Sequence, residues 1–69
     1  MYAYDTPLIW NPPPEPVTLQ SPPGGSMRLV APRRRCVRYV RIISPTHALC
    51  NMDGWIVLLP LIELKPLEE

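Results

Sequence analysis

The sequence predicts a small all-β domain of about five short antiparallel strands with a 3₁₀ turn, preceded by an extended proline-rich arm. Three observations carry this expectation. Asp53-Gly54 separates two apolar runs, 48–52 and 55–59. An Asp-Gly pair lets both central residues of a type I′ turn take positive φ, and the twist of that turn matches two antiparallel strands. Residues 36–43 are rich in valine, isoleucine and tyrosine, which favour a pleated, half-buried surface. Seven of the eleven prolines fall within the first 23 residues. Proline lacks an N–H and has a fixed φ, so it excludes both a helix and a central strand there.

Taken in order, residues 1–26 form the arm. Pro12-Pro13-Pro14-Glu15-Pro16 is expected to be extended in the polyproline II manner. Ser21-Pro22-Pro23-Gly24-Gly25-Ser26 reads as a flexible joint. Tyr2, Tyr4, Leu8, Ile9 and Trp10 are too apolar for a purely solvated tail, so the arm is expected to dock on the folded part or on a partner. Residues 27–69 form the folded domain. Its expected first strand is 27–31, its loop 32–35, and its longest strand 36–43. Ser44-Pro45-Thr46-His47 is a turn signal. The Asp53-Gly54 hairpin follows. Residues 60–64 suit a short 3₁₀ turn, because proline tolerates a first helical position. Residues 65–67 are the closing strand.

The turns fix an expected register. A two-residue loop at Asp53-Gly54 puts Met52 opposite Trp55, Cys50 opposite Val57 and Ala48 opposite Leu59. A four-residue loop at 44–47 puts Ile43 opposite Ala48, Arg41 opposite Cys50 and Tyr39 opposite Met52. Val40, Ile42, Leu49, Ile56 and Leu58 then share the expected core face. Tyr39, Arg41, Ile43, Cys50, Met52, Trp55 and Val57 share the other, which is apolar enough to be a binding surface. A one-residue slip at the first turn would exchange the faces of 36–43.

Residues 48–67, with their Asp-Gly hairpin and the stretch Pro60-Leu61-x-x-Leu64-x-Pro66-Leu67, resemble the C-terminal half of SH3-like small β-barrels. The resemblance extends over about residues 27–67. In such barrels the last piece is commonly a 3₁₀ turn leading to a closing strand. The resemblance implies binding of protein or nucleic acid, as in the KOW-like barrels of transcription and translation factors, and implies no enzyme activity. The early Gly-x-Val stretch of the KOW pattern is replaced here by Pro32-Arg33-Arg34-Arg35.

A chain of 69 residues has little room for a deep catalytic cleft. Net charge is only +1, but all six arginines fall between Arg28 and Arg41 without an intervening acid. That segment is the expected partner surface: Arg33, Arg34, Arg35, Arg38 and Arg41, with Tyr39 and Trp55 as aromatic anchors. The alternative for the arginines is a solvated loop that blunts a strand edge. For Tyr39 and Trp55 the alternative is ordinary packing. Pro13-x-x-Pro16 has the spacing of a polyproline ligand, and equally that of a plain spacer.

Two cysteines and one histidine are too few, and wrongly spaced, for a structural zinc site. No cofactor is expected. No pair of acids sits at catalytic spacing within the barrel. His47 has no visible nucleophile partner, and Cys36 and Cys50 read as small packing residues. The N-terminus lacks the basic start and apolar core of a signal peptide, and the apolar run 55–62 is too short for a bilayer. A soluble cytoplasmic protein is expected, in the host cytoplasm if viral.

The function expected from these features is that of a non-enzymatic, monomeric interaction protein. It would be a regulator or inhibitor docking on a larger protein machine, through an acidic segment of that machine. In size and simplicity the chain is similar to small phage-encoded inhibitors of bacterial RNA polymerase. Nucleic-acid binding through the same arginines is the alternative. It is disfavoured by a sequence pI of about 7.8, against the strongly basic footprint usual for such domains.

Overall fold

The computed structural model describes residues 2–67 and is all-β. Seven strands run in order: β1 (Pro7–Trp10), β2 (Val17–Ser21), β3 (Gly25–Leu29), β4 (Arg35–Ile42), β5 (His47–Met52), β6 (Trp55–Pro60) and β7 (Leu64–Pro66). A 3₁₀ turn, Leu61–Glu63, separates β6 from β7. The strands form a five-stranded sheet in the order β6-β5-β4-β1-β7 and a two-stranded sheet of β2 and β3. All the pairings are antiparallel. The β2–β3 hairpin lies against β6, where Ser21 Oγ donates to the Ile56 carbonyl at 2.7 Å. The arrangement is a small all-β domain of two sheets, compatible with a small β-barrel.

The hairpin expected at Asp53-Gly54 is present. Asp53 and Gly54 have φ of 53° and 92°, the two positive values that a type I′ turn needs. Gly54 N–H donates to Asn51 Oδ1 at 2.8 Å, so the side chain before the turn braces it. The β5–β6 register is the expected one: Met52 pairs with Trp55, Cys50 with Val57 and Ala48 with Leu59. A Cβ built on Gly54 would touch nothing within 4 Å, so substitution there is opposed by the backbone alone. Gly54→Val should therefore cost about 1–3 kcal/mol. Thermal unfolding would register this as a drop of about 4–8 °C per kcal/mol in a domain of this size. Gly54→Asn should be much milder, because asparagine tolerates the left-handed region. Equal melting temperatures for Gly54→Val and the parent would contradict the turn.

Residues 1–26 are not a separate extended arm in the described part. β1 is inserted between β4 and β7, pairing Leu8 with Val37 and Trp10 with Arg35 on one side, and Trp10 with Leu64 on the other. Pro7 is the first residue of its strand, the one position where a missing N–H does little harm. Upstream, Tyr39 N–H donates to the Thr6 carbonyl and Asp5 N–H to the Tyr39 carbonyl, which ties the chain to β4 before β1 begins. The supposed joint at 21–26 is the tip of the β2–β3 hairpin. The expected first strand, 27–31, is the third strand and starts earlier, at Gly25. The segments 2–26 and 27–67 thus share one core.

The expected core face is also corrected. Leu8, Trp10, Leu19, Val37, Tyr39, Ala48, Cys50, Met52, Val57, Leu59 and Leu64 form the core. Val40, Ile42, Leu49, Ile56 and Leu58, expected inside, are only half-buried. Cover exchanges the two faces as a whole, and the pairing of β4 differs as well. The β4–β5 loop is tighter than four residues: Ser44 Oγ accepts from the N–H groups of Thr46 and His47, and Ile43 N–H donates to the His47 carbonyl. Ile42 therefore pairs with Ala48 and Arg41 with Leu49, one residue off the expected register. A bulge between Tyr39 and Arg41 adds a second shift, so Tyr39 pairs with Cys50. The side of the sheet that becomes the core is the one covered by Leu19 and by the apolar residues of β1.

Candidate functional site

Arg33 and Arg34 are exposed in the loop between β3 and β4. Among the described residues neither has a carboxylate within 4.0 Å. Arg35 is the first residue of β4 and is committed internally. Its guanidinium pairs with the Asp53 carboxylate, and Nη1 approaches Met52 Sδ at 3.6 Å. That contact places the arginine loop and the β5–β6 turn at the same end of the barrel. Trp55, the residue after the turn, is 60% exposed there. A shallow open cavity of about 300 Å³ lies beside the loop, lined by Leu29, Ala31, Pro32, Arg33, Arg34 and Arg35. An apolar floor under guanidinium forks suits a carboxylate or another small anion on an apolar stem.

The remaining members of the expected site lie elsewhere. Arg38 pairs with Pro7 and Asn51 in register, and Arg41 pairs with Leu49. Both are exposed on the sheet face opposite the core, away from the arginine loop. Arg38 Nη1 donates to the Asp5 carbonyl at 3.2 Å and sits 3.9 Å from its carboxylate. An exposed pair of this kind contributes little to stability. Tyr39, expected as an anchor, is 3% exposed and cannot meet a partner. Its ring packs edge-on to Tyr2 at 5.5 Å. Cys50, Met52 and Val57, also assigned to the expected binding face, are core residues. Cationic patch and aromatic anchor therefore reduce to Arg33, Arg34 and Trp55 at one end, with Arg38 and Arg41 on a second face.

A second surface escaped sequence reasoning. Pro45, Thr46, His47, Pro60, Leu61 and Ile62 line a cavity of about 500 Å³ between the β4–β5 loop and the 3₁₀ turn. Leu61 N–H donates to the Thr46 carbonyl at 2.8 Å and holds the two segments together. Ile62 is 94% exposed. Its neighbours explain this. Leu61 packs on the core, and Glu63 is turned inward to accept from Trp10 Nε1 at 2.9 Å, so the middle residue of the turn has only solvent to face. A Leu-Ile-Glu triplet inside a 3₁₀ turn is the signal that was there to find.

Both cysteines are free. Burial pushes the Cys50 thiol up to about 11, which leaves it protonated and unreactive at neutral pH. Cys36 is exposed, and the register places it beside Ile9 on the outer face. His47 Nδ1 lies 2.8 Å from Thr46 Oγ1, in the β4–β5 loop. Among the described residues no three His, Cys, Asp or Glu side chains are grouped to hold a metal, and no helix is long and apolar enough to cross a membrane. Glu68 and Glu69 lie outside the described residues. Comparison with protein-family models, curated proteins and solved structures finds no match.

Proposed function

We propose that the chain is an SH3-like barrel that acts as a non-enzymatic interaction module, docking on an acidic surface of a larger protein. The barrel assignment is supported by the hairpin at Asp53-Gly54 and by the 3₁₀ turn leading into β7, the closing strand beside β1. The observation that carries the function is the pairing state of the arginines. Arg35 is consumed by Asp53 and Arg38 by Asp5, while Arg33 and Arg34 stand exposed beside an apolar-floored cavity with no acid in reach among the described residues. Trp55 adds exposed aromatic area at the same end. Such a patch recognises carboxylates set among apolar groups. Four arginines, Arg28, Arg33, Arg34 and Arg41, have no acid within 4.0 Å among the described residues, but only Arg33 and Arg34 lie in this loop, and with a net charge of +1 they supply little of the phosphate neutralisation on which nucleic-acid affinity depends.

A small regulator or inhibitor of a host machine fits this surface, and bacterial RNA polymerase is the candidate target by size and type. The test is affinity capture from a bacterial lysate with mass spectrometry, run in parallel with Arg33→Ala/Arg34→Ala. The parent should retain a protein complex that the double variant loses by roughly tenfold or more, as expected for central charged contacts. The melting temperature should be unchanged, because both side chains are exposed. Equal capture by parent and variant would remove the loop from the site. Capture that depends on nucleic acid, and disappears with nuclease, would favour the other partner class.

A further inference from the structure

The backbone of β3 is hydrogen-bonded on one side only. Its partner is β2, and among the described residues no other strand or backbone hydrogen bond lies along its outer edge. Open edges of this kind accept a further strand, and proteins normally cover or blunt them. β3 is not blunted by proline until Pro32, and Val30, just past its end, is 72% exposed. Its side chains divide cleanly. Ser26, Arg28 and Val30 are exposed, while Met27 and Leu29 are half-buried against the core. The edge runs directly into the cavity lined by Leu29 and the Arg33–Arg35 loop.

We propose that the free edge of β3 takes up an extended acidic segment of the partner protein as an additional strand. Successive side chains of an added strand point to opposite faces. One set would lie beside Arg28, which has no carboxylate within 4.0 Å among the described residues. The other set would extend the apolar flank of Met27 and Leu29. The segment that fits therefore alternates acidic and apolar residues, and an acid where it leaves the edge meets Arg33 and Arg34. Backbone pairing supplies affinity and the alternation supplies selectivity. The proposal rests on the docking function given above and specifies its geometry.

The test uses the whole chain and a short capped peptide of alternating glutamate and valine. Binding is measured by titration, and amide hydrogen exchange of β3 is followed by NMR. The peptide should bind and slow exchange at alternate amides between Gly25 and Val30. The same peptide methylated at its backbone nitrogens should bind about tenfold more weakly or worse, since several strand hydrogen bonds are lost. A lysine–valine peptide should not bind. Equal binding of the methylated peptide, sensitive to Arg33→Ala/Arg34→Ala, would overturn strand addition while leaving the arginine-loop function standing. No binding of the glutamate–valine peptide would overturn the proposal, and loss of lysate capture by that variant would still decide the function separately. Protection of β3 that grows with protein concentration alone would assign the edge to a second copy of the chain. Equal occupancy by an oligothymidylate would assign it to nucleic acid. Either result overturns the peptide assignment.

Discussion

Replacing Trp10 by alanine should abolish cooperative folding. Trp10 is the largest fully buried side chain, at 0% exposure, and it sits in β1 between β4 and β7. Truncating a buried tryptophan costs about 3–5 kcal/mol. Typical domains hold roughly 5–15 kcal/mol in total, and a chain this short belongs at the low end. The loss also severs a side-chain link to the 3₁₀ turn, since Trp10 Nε1 donates to Glu63 Oε1. Urea titration followed by circular dichroism should show a broad or absent transition at room temperature. Glu63→Ala should be intermediate, at about 1–3 kcal/mol, because it leaves the indole N–H without its acceptor. Glu63→Gln keeps an oxygen there and should be milder. A Trp10→Ala variant that melts within a few degrees of the parent would place β1 outside the fold, as the extended-arm expectation had it.

Asp53-Gly54 was legible because its signal is local: two positive φ values, and two residue types that tolerate them. The 3₁₀ turn and β7 were legible for the same reason, through Pro60 and Pro66. β1 was hidden by its neighbours. Leu8 and Trp10 alternate as strand residues should, but the prolines on both sides outvoted four residues. β2 shows the same problem, since Val17, Leu19 and Ser21 point inward between Pro16 and Pro22. Strand insertion is a tertiary event. It depends on a partner more than twenty residues away in sequence, and no local pattern encodes that pairing.

The candidate site was half legible for a related reason. Clustering of arginines in sequence was plain, but a strand sends alternate residues to opposite faces, and two acids claim their neighbours. Asp53 is distant in sequence from Arg35, and Asp5 from Arg38, so which guanidinium groups remain unpaired could not be read from the chain. The position of Trp55 beside the tight turn was legible, and it is exposed there. Tyr39 was not legible as core, because it shares a face with Cys50, Met52 and Val57, and the residues that make that face the interior, Leu8, Trp10 and Leu19, come from distant strands.

Leu59→Ala should be far more damaging than Leu58→Ala, and the contrast tests which face of the sheet is the core. Leu59 is 0% exposed and packs with Ala48, Leu8 and Trp10 in one cluster, so its truncation should cost about 2–5 kcal/mol. Leu58 is half-buried on the outer face beside Leu49, and its loss should cost about 1 kcal/mol, near half the transfer energy of a fully buried leucine. Sequence alternation alone cannot rank them. Leu49, Ile56 and Leu58 on one face are as apolar as Cys50, Val57 and Leu59 on the other. The tie is broken by cover: Trp10, Leu8 and Leu19 share a core with the second face, and among the described residues no buried side chain joins the first. Chemical unfolding of the two variants would measure the difference directly. A more destabilised Leu58→Ala would exchange the faces of the sheet. It would also return Tyr39, Cys50 and Val57 to the surface as candidate contacts.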